Sequence, residues 1–90
     1  MFNSIEQINV SRKLARAYRY ERPFMWNRGA VITYMGNVNG WRDEVRNPED
    51  FLPGCLAFTA NEEVYEARGG NDQHGAKEWA LIPTEVGGEA

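Results

Sequence analysis

The side chains able to perform chemistry are few in this chain of 90 residues. It has one imidazole, His74, and one thiol, Cys55. His74 lies in a polar, glycine-rich run at 69–75, whereas Cys55 begins an apolar run at 55–58. A thiol needs an adjacent base to act as a nucleophile, and a structural zinc site needs four nitrogen or sulfur ligands. We therefore expect a binding protein, not an enzyme, with no metal and no cofactor.

The arginines are the groups best suited to hold an anion. Residues 1–46 carry eight Lys/Arg against four Asp/Glu, a net charge of +4, whereas residues 47–90 carry two against nine, a net charge of −7. A guanidinium donates two hydrogen bonds to one phosphate. The asymmetry indicates either an anion site in the first half or charge complementarity within or between subunits. The overall pI of about 5.1 argues against binding to a nucleic acid duplex.

Aromatic rings and small polar side chains complete the groups that bind nucleotides. A ring that stacks on a base contributes about 1–3 kcal/mol, and Asn71 and Asp72 can hold ribose hydroxyls or base edges. Trp79 precedes the apolar run 80–82 and is more typical of a core residue than of a ligand contact. Trp26 and Trp41 lie next to predicted loops and fit either role.

Local patterns predict the elements that carry these groups. Residues 4–19 read as a helix, with a capping box at Ser4 and Gln7 and a weak point at 9–11. Four apolar stretches read as strands, and the sequence predicts a fold of the α+β class, an N-terminal helix packed on a small antiparallel β-meander. We expect one domain over residues 1–90 with a frayed tail at 84–90, and a flexible loop at 69–75. Because several strands are apolar on both faces, we expect a second subunit to cover the face that the helix leaves open.

The order of motifs resembles one known family. The helix contains a Lys-apolar-Ala-Arg element, and the later strands are followed by a polar loop with Asp72 and by an Ala-x-acidic-Trp element; the matching segments are 13–16, 51–53, 59–60 and 76–79. This pattern is similar to that of the Thoeris anti-defence sponges, small phage proteins that bind cyclic ADP-ribose-type immune signals without degrading them. The chain departs from the family at Tyr18 or Tyr20, at Tyr65 and at Glu78, where the family carries Trp, Trp and Asp, and over 37–50, which has no match.

The resemblance implies a homotetramer, or a dimer, whose subunits share pockets for a cyclic nucleotide in the host cytoplasm, with no membrane partner. Residues at matching motif positions, together with neighbours of suitable chemistry, form the predicted ligand site: Arg16, Tyr18, Trp26, Tyr65, Arg68, Asn71, Asp72 and Trp79. The alternative is a phage-type inhibitor, similar to anti-restriction or anti-CRISPR proteins, that binds a host protein through its acidic C-terminal half.

Overall fold

The computed structural model describes residues 4–22 and 28–83. This part of the chain forms one helix, a short 3₁₀ helix at Pro48–Asp50 and one five-stranded antiparallel sheet, which confirms the α+β class. The helix and strands are α1 (Ile5–Tyr20), β1 (Ala30–Tyr34), β2 (Asn37–Arg42), β3 (Leu56–Thr59), β4 (Val64–Arg68) and β5 (Glu78–Ile82). The predicted fraying of the tail at 84–90 lies outside the described residues.

The first helix begins where its capping residues predict. The side chain of Ser4 accepts from the backbone N–H of Gln7 at 3.1 Å, and the side chain of Gln7 accepts from the backbone N–H of Ser4 at 2.9 Å. The helix runs unbroken through 9–11 because Ile8 and Ser11 are both buried against the sheet. No helix within residues 4–22 and 28–83 is long and apolar enough to span a membrane.

The strand order is not that of a simple meander. The order across the sheet is β2-β1-β3-β4-β5, so β1 pairs with both β2 and β3. The chain leaves β2 at one edge of the sheet and enters β3 on the other side of β1. Residues 43–55 link the two strands and are called the crossing connection. Only β3, β4 and β5 follow one another as a meander.

Each face of the sheet is covered by a different part of the same chain. Strand alternation places Val31, Leu56 and Phe58 under α1, with Ile8 and Ala15 from the helix. Ile32, Ala57 and Ala67 point to the opposite face, where Phe51 and Val45 from the crossing connection pack over them. The second apolar face therefore has an intramolecular cover, and it does not by itself require a second subunit.

The β1–β2 hairpin contains a residue that is poorly suited to its backbone conformation. The two-residue loop is Met35-Gly36, with φ of +50° and +81°, and the Met35 side chain is exposed. Positive φ at both positions is typical of hairpin turns that prefer Asn-Gly. We predict that Met35→Asn stabilises the protein by about 0.4–1 kcal/mol, measured as the free energy of unfolding in urea. Met35→Ala, which stays unsuited to positive φ, serves as the control; equal stability of the two variants would contradict the prediction.

Candidate anion-binding site

The candidate site lies where the β3–β4 turn meets α1. The turn closes when the backbone N–H of Glu62 donates to the Thr59 carbonyl at 3.1 Å and that of Glu63 donates to Thr59 Oγ1 at 3.0 Å. Glu62 adopts a left-handed backbone with φ of +70°. Its carboxylate projects from the turn towards the helix.

Two arginines of α1 converge on that carboxylate. Arg12 and Arg16 are four residues apart, so they lie on one face of the helix. The Nη2 atom of Arg16 lies 2.8 Å from Glu62 Oε1, and the Nη1 atom of Arg12 lies 3.7 Å from the same oxygen. Two positive groups thus share one negative group, which leaves an excess of positive charge at this surface.

The two guanidinium groups differ in how firmly they are held. The guanidinium of Arg12 also donates to the backbone carbonyl of Glu62 at 3.2 Å and lies over the Phe58 ring, 5.5 Å from its centroid. Its side chain is 18% exposed, whereas that of Arg16 is 61% exposed. The guanidinium of Arg12 is therefore held in one position by these contacts, whereas that of Arg16 is accessible to a ligand.

Arg19, the next arginine along this helix face, has a structural role. Its guanidinium donates to the carbonyls of Arg28, Gly29 and Phe58 at 2.9, 2.8 and 3.0 Å. Burial lowers the pKa of this guanidinium from its usual value, and the nearby Glu62 carboxylate opposes that shift. Arg19 therefore fastens the helix to the ends of β1 and β3, about one helical turn from Arg16 and two from Arg12.

The space between these side chains is a shallow surface depression. Its volume is about 20 Å³, and its lining includes Arg12, Arg16, Phe58, Thr59 and Glu62. This is room for about one water-sized group, so a phosphate would lie on the depression with most of its volume outside it.

A larger groove of about 770 Å³ lies at the other end of the helix. Its walls include Val10, Tyr34, Met35 and Pro53, and Glu6 is its charged lining residue. A carboxylate is the wrong charge for a phosphate, so we place the anion site at Arg12 and Arg16 despite the smaller volume there.

The helix carries two of the described site residues predicted from sequence, Arg16 and Tyr18. Arg16 lines the depression beside Glu62. Tyr18 packs partly into the core below α1, and the guanidinium of Arg22 covers its ring at 3.9 Å from the centroid. One face of that ring is therefore already occupied. Trp26 lies outside the described residues.

The predicted aromatic residues of the C-terminal half lie on the opposite face of the sheet. Tyr65 and Trp79 pack against the cluster that contains Phe51. The Trp79 ring meets the Phe51 ring edge-on at 5.1 Å, and its Nε1 donates to the Arg46 carbonyl at 3.2 Å. These contacts make Trp79 an anchor for the crossing connection.

Arg68 lies on the helix-covered face, but towards the end of β4. Its Nε atom donates to Oε1 of Glu66 at 2.8 Å, and the Glu66 side chain is fully buried. This guanidinium therefore neutralises a buried carboxylate, and its Nε is already engaged.

The polar loop before β5, which the sequence predicts to be flexible, is closed by its own hydrogen bonds. Asn71 and Gly75 exchange both backbone hydrogen bonds, at 3.1 and 2.9 Å. Asn71 Oδ1 accepts from the backbone N–H groups of Gln73 and His74 at 2.9 and 2.8 Å. This oxygen is thus used inside the loop, whereas Asp72 is exposed at its tip.

The predicted residues are thus distributed over three places. Arg16 and Tyr18 lie on the helix side, Tyr65 and Trp79 on the other side of the sheet, and the loop residues at one end. Within residues 4–22 and 28–83, a single subunit does not bring the described members of the predicted site into one pocket. Sequence reasoning missed Arg12 and Glu62 as members of the site, although the spacing of Arg12 and Arg16 was a usable signal.

The two residues considered for catalysis lie in different settings. Cys55 is buried, and this burial raises the pKa of its thiol, which keeps it protonated and unreactive at neutral pH. His74 is exposed on the loop, with Nδ1 at 3.3 Å from Asn71 Oδ1. Across residues 4–22 and 28–83, no three His, Cys, Asp or Glu side chains are grouped as a metal would require.

Comparison of the chain with known proteins identifies no similar protein. No family model, no curated protein and no solved structure matches the chain.

Proposed function

We propose that this protein binds and sequesters a cyclic nucleotide immune signal, of the cyclic ADP-ribose type or a cyclic oligonucleotide, without degrading it. The family resemblance of the sequence suggests this role. One structural observation carries it furthest: two guanidinium groups converge on a single carboxylate oxygen, at 2.8 and 3.7 Å, and one of them is largely exposed.

This arrangement suits a phosphate because phosphate oxygens accept charge-assisted hydrogen bonds from the planar fork of arginine. Arg12 is already oriented by Phe58 and by the Glu62 carbonyl, so little side-chain entropy is lost when an anion binds there. Under this proposal Arg16 supplies the second donor at the surface.

Base and ribose contacts under this proposal come from a second copy of the chain. The depression is too small to enclose a nucleotide, and Tyr65 and Asp72 lie elsewhere in the same subunit. A shared pocket in a dimer or tetramer, as the resemblance implies, would bring these groups to a phosphate held by the neighbour's arginines.

Sequestration without turnover is consistent with the state of the thiol. Cys55 is 2% exposed, and its raised pKa disfavours the thiolate needed for nucleophilic attack. A sponge works by stoichiometric binding, so its effectiveness depends on affinity; a nanomolar Kd corresponds to about −12 kcal/mol.

Calorimetry against a panel of cyclic ADP-ribose isomers and cyclic dinucleotides tests the proposal. We predict that at least one of them binds, and that Arg16→Ala weakens its binding about 10- to 100-fold, because a charged hydrogen bond contributes about 1.5–3 kcal/mol. The melting temperature should change little, since a surface ion pair contributes about 0–1 kcal/mol.

Lys13→Ala is the matched control for Arg16→Ala. It removes the same charge from the same helix at an exposed position outside the site. Equal weakening in both variants would point to long-range charge and not to a phosphate contact. Absence of heat and of thermal shift across the whole panel would refute the sponge function, and recovery of a cleaved nucleotide would point to an enzyme.

One observation favours the inhibitor function as a second candidate. Gly75 lies directly against the backbone of Glu49, so the loop that carries Asp72 sits beside the acidic pair Glu49 and Asp50. All three residues are exposed on these adjoining segments, where their negative charge would suit a basic partner surface. Stoichiometric capture of one host protein, lost when Glu49 and Asp50 become Gln and Asn, together with silence of the nucleotide panel, would support this function.

A further inference from the structure

Glu62 occupies the centre of the candidate site and is held there by the turn, not by its carboxylate. Its backbone N–H bonds to Thr59, and its left-handed conformation is uncommon for a residue other than glycine or asparagine. A carboxylate in such a strained position invites a functional explanation.

The contacts of the Glu62 carboxylate can open without disturbing the fold around them. The carboxylate is 59% exposed, and its closest partner, Arg16, is 61% exposed. Arg12 keeps two further contacts, with the Glu62 carbonyl at 3.2 Å and with the Phe58 ring. Withdrawal of the carboxylate would therefore release Arg16 while Arg12 stays in place.

We propose that the Glu62 carboxylate is a resident anion in the phosphate subsite of Arg12 and Arg16, and that a ligand phosphate binds by displacing it. This inference rests on the proposed nucleotide-binding function. Carboxylate and phosphate present similar oxygen pairs to a guanidinium, so one replaces the other without rearrangement of the arginines. When no ligand is bound, the Glu62 carboxylate offsets the repulsion between the guanidinium groups of Arg12 and Arg16. It also competes with weakly charged ligands for these two groups.

The competing explanation is that Glu62 only fastens α1 to the β3–β4 turn. The two explanations predict opposite effects of removing the charge. A resident anion lowers ligand affinity, so its removal strengthens binding. A purely structural tie leaves affinity unchanged or reduced, and its removal lowers the melting temperature.

The test compares Glu62→Gln with Glu63→Gln. Glu63 is the adjacent carboxylate, its side chain accepts from the Tyr65 hydroxyl at 3.4 Å, and its substitution changes the net charge by the same amount. Calorimetry uses two probes, the cyclic nucleotide that the unmodified protein binds and inorganic pyrophosphate, at low and at physiological salt. We expect Glu62→Gln to bind both probes about 2- to 5-fold more tightly, the fold-change that corresponds to loss of a competing surface ion pair.

Glu63→Gln should bind both probes as the unmodified protein does. If Glu62→Gln melts below the assay temperature, Glu62→Asn replaces it, because asparagine tolerates the left-handed conformation. Unchanged or weaker cyclic nucleotide binding by these Glu62 variants would overturn the inference while leaving the proposed function intact.

Failure of the proposed function gives a different pattern. If no cyclic nucleotide binds any variant, the pyrophosphate measurements decide the inference alone. Tighter pyrophosphate binding by Glu62→Gln than by Glu63→Gln would support the resident anion, whereas equal binding or none would overturn it.

Discussion

Gly75→Ala is expected to lower the free energy of unfolding markedly. Gly75 has φ of +80°, and a Cβ placed there would lie 2.0 Å from the Glu49 carbonyl oxygen and 2.6 Å from its carbon. Those are backbone atoms of the 3₁₀ helix and cannot rotate away as a side chain can. The next residue, Ala76, donates its N–H to the Phe51 carbonyl at 2.9 Å, so separation of the two segments also breaks this bond.

The expected loss of stability is about 2–5 kcal/mol, from overpacking together with the left-handed backbone. A domain of this size has a total stability of roughly 5–15 kcal/mol, so the variant should unfold at markedly lower urea concentration. The crossing connection and the loop before β5 should both lose protection from hydrogen exchange.

Gly36→Ala is the control that measures the cost of the left-handed backbone alone, without a steric clash. Gly36 has φ of +81°, nearly the same as Gly75, yet no heavy atom lies within 4 Å of its added Cβ. It should cost only the conformational penalty, about 1–2 kcal/mol. If the two variants lose equal stability, the close approach of Gly75 to Glu49 is not what makes this glycine necessary.

Local elements of this fold could be predicted from sequence because their signals are local. The capping box at Ser4 and Gln7 fixed the helix start, and the β-branched run at 30–34 and the alternation at 56–59 indicated strands that the structure contains. These signals act over a few residues, so no knowledge of the tertiary fold was needed.

The path from β2 to β3 could not be predicted because its cause is non-local. Val45 lies between two charged residues, and Phe51 begins the short apolar segment Phe51-Leu52-Pro53, which is too short to show a helix or strand period. Their partners, Ile32, Ala57 and Ala67, come from three different strands and share a face only after the sheet has formed. The predicted second subunit followed from this gap, because an apolar face without a visible cover suggested an external one.

In the candidate site, the two arginines could be predicted from local sequence, whereas their carboxylate partner could not. Helical periodicity alone places Arg12 and Arg16 on one face. Glu62 is 46 residues away from Arg16 and reaches it only because the β3–β4 turn adopts a left-handed residue at that position. Nothing in the sequence around Asn61-Glu62-Glu63 distinguishes which carboxylate of the pair turns towards the helix.

Trp79→Ala is expected to destabilise the protein by about 3 kcal/mol. Removal of a large buried aromatic side chain costs about 3–5 kcal/mol, and Trp79 lies at the lower end because it is only partly buried. The substitution removes the edge-on contact with Phe51 at 5.1 Å and the hydrogen bond to the Arg46 carbonyl at 3.2 Å. Both contacts hold the crossing connection against the sheet, so the loss should be seen in urea denaturation and in exchange of the 43–55 amides.

Trp79→Phe separates the structural role of this residue from a role in ligand binding. It keeps most of the ring contact with Phe51 and loses the indole N–H, so its cost in stability should be about 1 kcal/mol. If Trp79 only anchors the crossing connection, calorimetry on the folded Trp79→Phe protein should give the ligand affinity of the unmodified protein. If the Trp79 ring instead stacks on a base, Trp79→Phe should clearly lose ligand affinity while its stability stays nearly unchanged. Stacking of a base on an aromatic ring contributes about 1–3 kcal/mol, and the indole offers the larger surface. The position of Trp79 against Phe51 favours the first outcome, and the second would return Trp79 to the ligand site.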